Sequence, residues 1–163
     1  MFAGLFTRYR LRLITAFATR WLNLRGGHGG FGERILILGA GEGGQIVNWL
    51  LRRESLRSAF SVVGMVDDDP AKQADMAARS SGDGWRAHSP YDAILVSAAS
   101  PKVPQPLVEQ LADGGRLVIP LGGMEEQELV MFTRRGPDLI RQGILPVRFV
   151  PLLGTYGWRE ADE

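Results

Sequence analysis

The chain of 163 residues has no cysteine, which excludes a disulfide framework and any thiolate metal site. Histidine is nearly as scarce. His28 and His88 stand apart in glycine-rich or polar surroundings, so both read as loop or surface residues and no metal ligand set is expected. Charge of one sign is lacking as well. Nineteen basic residues against 18 acidic ones leave a net charge of +1, without the excess that a nucleic-acid partner would call for. Nor does any apolar run approach the roughly 20 residues of a membrane span. A mean hydropathy of −0.05 fits one α/β domain with a proper core.

Acids are absent from residues 1–32, which carry Arg8, Arg10, Arg12, Arg20 and Arg25 among Phe6, Leu13, Ile14, Phe17, Trp21 and Leu22. A basic amphipathic helix is expected over residues 1–25. It could make peripheral contact with an anionic membrane surface, or pack on a partner or on its own domain. The stretch between Arg12 and Arg20 is too short for a secretory signal and no cleavage site follows, so a cytoplasmic location is expected. Residues 26–33 read as a glycine-rich linker, 34–155 as the folded domain and 156–163 as a tail.

What organises the chain is Ile35-Leu36-Ile37-Leu38-Gly39-Ala40-Gly41-Glu42-Gly43-Gly44. Four aliphatic residues ending in glycines predict a buried parallel strand and a tight turn. The next residues, to Arg53, place Ile46, Val47, Leu50 and Leu51 on one helical face. Gly39, Gly41 and Gly44 have the G-x-G-x-x-G spacing in the strand–turn–helix context that a nucleotide site requires. Small residues let the backbone approach a ligand, and the helix N-terminus offers N–H groups. The same spacing would also serve helix–sheet packing alone.

Phe60 to Val66 predicts a second buried strand, followed by Asp67-Asp68-Asp69-Pro70. An acid at this strand tip can accept both hydroxyls of a ribose, which marks Asp67, while Asp69 before Pro70 suits a helix cap. Ala71 to Arg79 allows a short helix, and no third strand is visible before Gly82-Asp83-Gly84. Tyr91 to Ser97 is the next strand, Val103 to Ala112 a helix stopped by Gly114, and Arg116 to Leu121 another strand. Glu128 to Arg134 and Ile144 to Leu152, joined through Gly136-Pro137-Asp138, suit an antiparallel pair.

Two resemblances overlie this pattern. From Gly82 onward the chain resembles protein-L-isoaspartate O-methyltransferases. The likeness is carried by Gly82-Asp83-Gly84-Trp85, Pro90 to Ala99, Val103-Pro104, Gln110-Leu111, Gly114 to Gly122 and Val147 to Leu152. It implies a Rossmann-like doubly wound α/β sheet of the class I methyltransferase type, mostly parallel, with a C-terminal antiparallel pair and here without its third strand. It further implies S-adenosylmethionine as cofactor and isoaspartyl-containing proteins or peptides as substrate. Gly39 and Gly41 would then lie under the methionine part, Asp67 at the ribose, and Asp83 with Gly84 by the adenine. Thr7, Thr15 and Thr19 lie outside the family's hydroxyl motif, so no catalytic residue is assigned.

Residues 8–73 are similar instead to membrane-anchored nucleotide-sugar dehydratases and epimerases of polysaccharide synthesis, through Arg20 to Gly27, the glycine turn and Val63 to Pro70. That likeness implies NAD or a nucleotide sugar at Gly39, Gly41 and Gly44, and puts a seam near residues 73–82. The downstream sequence has no Tyr-Lys type pair for such an enzyme.

Overall fold

A computed structural model describes residues 32–67 and 81–158, all within one compact unit, Phe31–Glu163. The expected helix over 1–25, most of the 26–33 linker, the 71–79 helix, the Asp69 cap, most of the 73–82 seam and the end of the tail lie outside the described residues.

The chain runs β1 (Glu33–Leu38), α1 (Glu42–Leu51), α2 (Glu54–Arg57), β2 (Phe60–Val66), β3 (Tyr91–Val96), α3 (Gln105–Glu109), β4 (Leu111–Gly122), β5 (Gln127–Arg135) and β6 (Asp138–Val147). The strands form one sheet in the order β2-β1-β3-β4-β5-β6. The first four are parallel, while β4–β5 and β5–β6 pair antiparallel, as expected from the change in spacing at the end of the chain.

Burial explains why β1 and β3 are unbroken aliphatic runs. Leu36 and Leu38 enter a cluster with Ile94, Val96, Leu107 and Leu117, and all are buried. Ile35 and Ile37 point to the opposite face and are buried too, as a strand covered on both sides requires. β2 stands at the edge of the sheet among the described residues, and Val62, Val63 and Met65 are only half-buried. Residues 68–80, where the expected absence of a third strand falls, lie outside the described residues.

Four details depart from expectation. Ile46 does not join the buried face of α1. It lies beside exposed Trp49, because the inward stripe runs through Gly44 and Leu51, and position 46 is more than a third of a turn away from both. The helix expected over 103–112 is a single turn, since Leu111 already pairs with Tyr91 in the sheet. β6 starts at Asp138, six residues before the expected strand. Arg135 pairs with Asp138 across a two-residue turn, and Gly136, at φ 56, takes the first central position as in a type II′ hairpin. Glu33, expected in the linker, opens β1 and is buried.

Candidate functional site

The strand order places a topological switch at β1 and β3. The chain leaves β1 towards β2 on one side, and β3 joins it on the other. In open α/β sheets the crevice outside the strand ends at such a point is where ligands bind. Gly39 follows β1 and Ser97 follows β3, so both lie at that crevice.

Gly39 has φ 96, a conformation that excludes ordinary side chains. The Ser97 hydroxyl occupies the place a Cβ at Gly39 would need, and lies within hydrogen-bonding distance of the carbonyls of Leu38 (3.0 Å) and Gly39 (3.1 Å). At Gly44 a Cβ would run into the carbonyl of Gly39. The helix thus approaches the turn as closely as backbone allows. Gly41 is the extended N-cap of α1 and makes no side-chain cap hydrogen bond. Asp67, just past β2, is buried and accepts a hydrogen bond from the backbone N–H of Ala40. A carboxylate has several acceptor positions, so bracing Ala40 is compatible with receiving a ribose hydroxyl. Gly39, Gly41, Gly44 and Asp67 are therefore brought into one cradle, with Ser97 as its floor.

Asp83 and Gly84 belong to a second cluster. Asp83 ends a short 3-10 turn, Ser81–Asp83, and its carbonyl accepts a 2.7 Å hydrogen bond from Nε2 of Gln110. Gly84 has φ 65 and faces Gln110 and Leu107. Trp85 then lies over Gly64 of β2, and its carbonyl accepts a 2.7 Å bond from the Tyr91 hydroxyl. Burial pushes the Tyr91 hydroxyl up to about 12, with Arg34 pulling weakly the other way.

The C-terminal segment links the two clusters. Ala99, just past β3, donates to Val150 (2.8 Å) and accepts from Leu152 (2.7 Å), strapping that segment across the strand ends. Buried Ser100 reaches the carbonyl of Tyr156 (3.1 Å), and the Tyr156 side chain packs on Gly82. Tyr156 to Trp158, expected in a tail, are thus tied to the domain by Ser100 and by a Trp158-to-Leu152 backbone bond of 2.7 Å.

Three contributors carried no role in the sequence reading: Ser97, Gln110 and Tyr156. A signal existed for two of them. Ser97 ends an aliphatic strand at the crevice, and Gln110 is a polar residue at helical spacing from Leu107, on an otherwise apolar face.

A mostly parallel sheet ending in an antiparallel pair, with a glycine turn at its switch point, defines an α/β domain of the class I methyltransferase type. The family model described as protein-L-isoaspartate(D-aspartate) O-methyltransferase matches residues 12–157, and the chain belongs to that family. A relative from Dictyoglomus turgidum named protein-L-isoaspartate O-methyltransferase is 36% identical over 157 residues, covering 90% of this chain and 68% of its own length. A namesake from Desulfotalea psychrophila is 53% identical over 76 residues, covering 47% of this chain and 36% of its own. The chain therefore spans between about a third and about two thirds of these relatives. Among solved structures, a Plasmodium falciparum protein described as a protein-L-isoaspartate O-methyltransferase in complex with S-adenosyl-L-homocysteine shares the fold. It has a TM-score of 0.58 at 21% identity, over 75% of this chain and 66% of that one.

The family match spans residues 12–157, so one family accounts for both sides of the expected seam. The likeness of residues 8–73 to nucleotide-sugar dehydratases and epimerases gains no support, and neither does the NAD reading that came with it. Membrane contact through residues 1–25 is likewise unsupported. No helix among the described residues is long and apolar enough to cross a membrane.

Proposed function

We propose that the chain is an S-adenosylmethionine-dependent methyltransferase acting on isoaspartyl carboxylates of damaged proteins or peptides. The observation that carries this reading is the family match over residues 12–157, together with the Gly39–Gly44 cradle at the switch point. The donor set suits the cofactor. Glycine backbone and the uncapped start of α1 accommodate the methionine part, Asp67 takes the ribose hydroxyls, and Asp83 with Gly84 borders the adenine.

When bound, S-adenosylmethionine would supply an electrophilic sulfonium methyl that the isoaspartyl carboxylate oxygen would take as the carbon–sulfur electron pair stays on sulfur, giving a methyl ester and S-adenosylhomocysteine. The nucleophile is already ionised near neutral pH, so no general base is needed from the chain. The chain's task is to position both partners and keep water out. Ser97 and Asp67 do this by fixing the turn, and the 149–158 strap by closing the strand ends over β3.

The test is a parallel calorimetric titration of the purified chain with S-adenosylhomocysteine and NAD, repeated on Asp67→Ala. Saturable binding of S-adenosylhomocysteine, weakened by the substitution, supports the reading. Binding of NAD alone overturns it. Peripheral contact of residues 1–25 with an anionic membrane is a separate proposal, supported by their five arginines and lack of acids. Failure of the chain to sediment with phosphatidylserine vesicles at low salt would dismiss it.

A further inference from the structure

Gln110 caps the C-terminus of α3 and is 1% exposed. Its Nε2 donates to the carbonyls of Asp83 (2.7 Å) and Pro106 (2.8 Å). These two acceptors decide which end of the amide is nitrogen, because the opposite orientation would set Oε1 against two oxygens. Oε1 then lies against Gly84, buried and without a hydrogen-bond partner among the described residues. A Cβ at Gly84 would come within 2.7 Å of Oε1 and 2.8 Å of Nε2. On the other side of Asp83, a Cβ at Gly82 would meet the Tyr156 Cβ at 2.7 Å. Asp83 therefore stands between two glycines, each closed off by a side chain from a different part of the chain.

From this clamp we infer that Gln110 is a positioning residue for the cofactor. It sets the backbone of Asp83 and Gly84 without touching the bound molecule, and so governs cofactor affinity and not the transfer step. The inference rests on the reading of Asp83 and Gly84 as cofactor-binding. A primary amide suits the task because one nitrogen supplies two hydrogens to two buried carbonyls. A hydrocarbon of the same length would leave both carbonyls without that donor, and an ionised carboxylate would repel them.

The full chain carrying Gln110→Glu or Gln110→Met tests this. Among the described residues, the ionisable side chains on the neighbouring turns include Asp83, Arg86, His88 and Glu109. Arg86 pairs with Glu109 at 2.8 Å, and the His88 ring lies against Trp85, centroids 4.0 Å apart. The unsubstituted chain is therefore titrated over the same pH range. At pH 8, S-adenosylhomocysteine should bind Gln110→Glu about ten-fold more weakly than the unsubstituted chain. Affinity should recover towards pH 5.5, because burial at this 1% exposed position raises the pKa of the introduced carboxyl, and its protonated form can donate one hydrogen bond. Gln110→Met should lose affinity equally at both pH values. With saturating S-adenosylmethionine, kcat should stay within about two-fold. Unchanged affinity in folded variants, with only Tm lowered, would overturn the inference, as would a loss confined to kcat. A measurement independent of variant folding is the side-chain amide resonance of Gln110 in 15N-labelled, unsubstituted protein. It should shift when S-adenosylhomocysteine saturates the site, and a static resonance would also overturn the inference. If the unsubstituted chain binds no S-adenosylhomocysteine, the cofactor reading itself fails and the inference falls with it.

Discussion

The carbonyl oxygen of Gly39 fills the space that a Cβ at Gly44 would need, so the strand end and the first turn of α1 meet backbone to backbone. One residue earlier, a Cβ on Gly43 would meet only the Ser97 Cβ among the described residues, at 3.8 Å. The two glycines differ in kind. Gly44 is required by contact, whereas Gly43 merely sits in a helix.

Gly44→Ala should therefore cost about 1–3 kcal/mol of stability, because the backbone must shift to admit the methyl group. S-adenosylhomocysteine affinity should fall with it. Gly43→Ala should gain up to about 0.5–1 kcal/mol from helix propensity. Urea unfolding of both variants checks the pair, and equal effects would contradict the close approach.

Asp67 and Ala40 give a second separation. Asp67→Ala leaves the buried Ala40 N–H without its carboxylate acceptor, at a cost of about 1–3 kcal/mol. Asp67→Asn keeps a carbonyl oxygen for that bond and should lose less. Both should weaken S-adenosylhomocysteine, the alanine variant more. Calorimetry and thermal unfolding on the two variants read affinity and stability separately.

Far from the crevice, Glu33 and Arg116 pair at 2.5 Å across β3, with side chains 5% and 9% exposed. Arg116→Met alone should destabilise the domain by about 3–5 kcal/mol, since the Glu33 carboxylate loses a buried counter-charge. Adding Glu33→Leu should restore most of that. Denaturant titration of the single and double variants is the check, and a double variant as unstable as the single one would contradict it.

Much of this fold was legible because its centre is built from runs that only a two-sided strand can bury. Ile35 to Leu38, Ala93 to Val96 and Leu117 to Ile119 each mark their strand without help from context. The antiparallel finish was legible too, but β6 began earlier than expected. Arg141, Gln142 and Gly143 carry no apolar pattern, because β6 is an edge strand whose outer positions face water. Ile46 misled for the converse reason. An aliphatic residue next to Val47 suggests burial, yet only packing decides which stripe of α1 turns inward. At the site, Gly39, Gly41, Gly44 and Asp67 could be picked by spacing. Ser97 and Gln110 left only the weaker signal of a polar residue at the end of an apolar strand or on an apolar face, as their roles exist only once β3 and α3 are brought beside the two glycine turns.

Tyr91 offers a test by pH. Its hydroxyl is buried, donates to the Trp85 carbonyl and is pushed up to about 12. The unfolded chain releases this proton near pH 10, before the folded one does. The corresponding stability is thus fully present below pH 10 and is lost as pH rises towards 12. The loss should be on the order of 2 kcal/mol. Tyr91→Phe should be less stable at pH 8 and should lack this alkaline decline. Unfolding measured at pH 8 and pH 11 on both proteins decides it.

The most direct measurement is transfer of a radiolabelled methyl group from S-adenosylmethionine to a short isoaspartyl peptide, with the matching α-aspartyl peptide as control. The labelled product should form only on the isoaspartyl peptide and should release methanol in mild alkali, as a carboxyl methyl ester does. A folded chain that binds S-adenosylhomocysteine yet labels neither peptide, or both equally, would contradict the assigned activity.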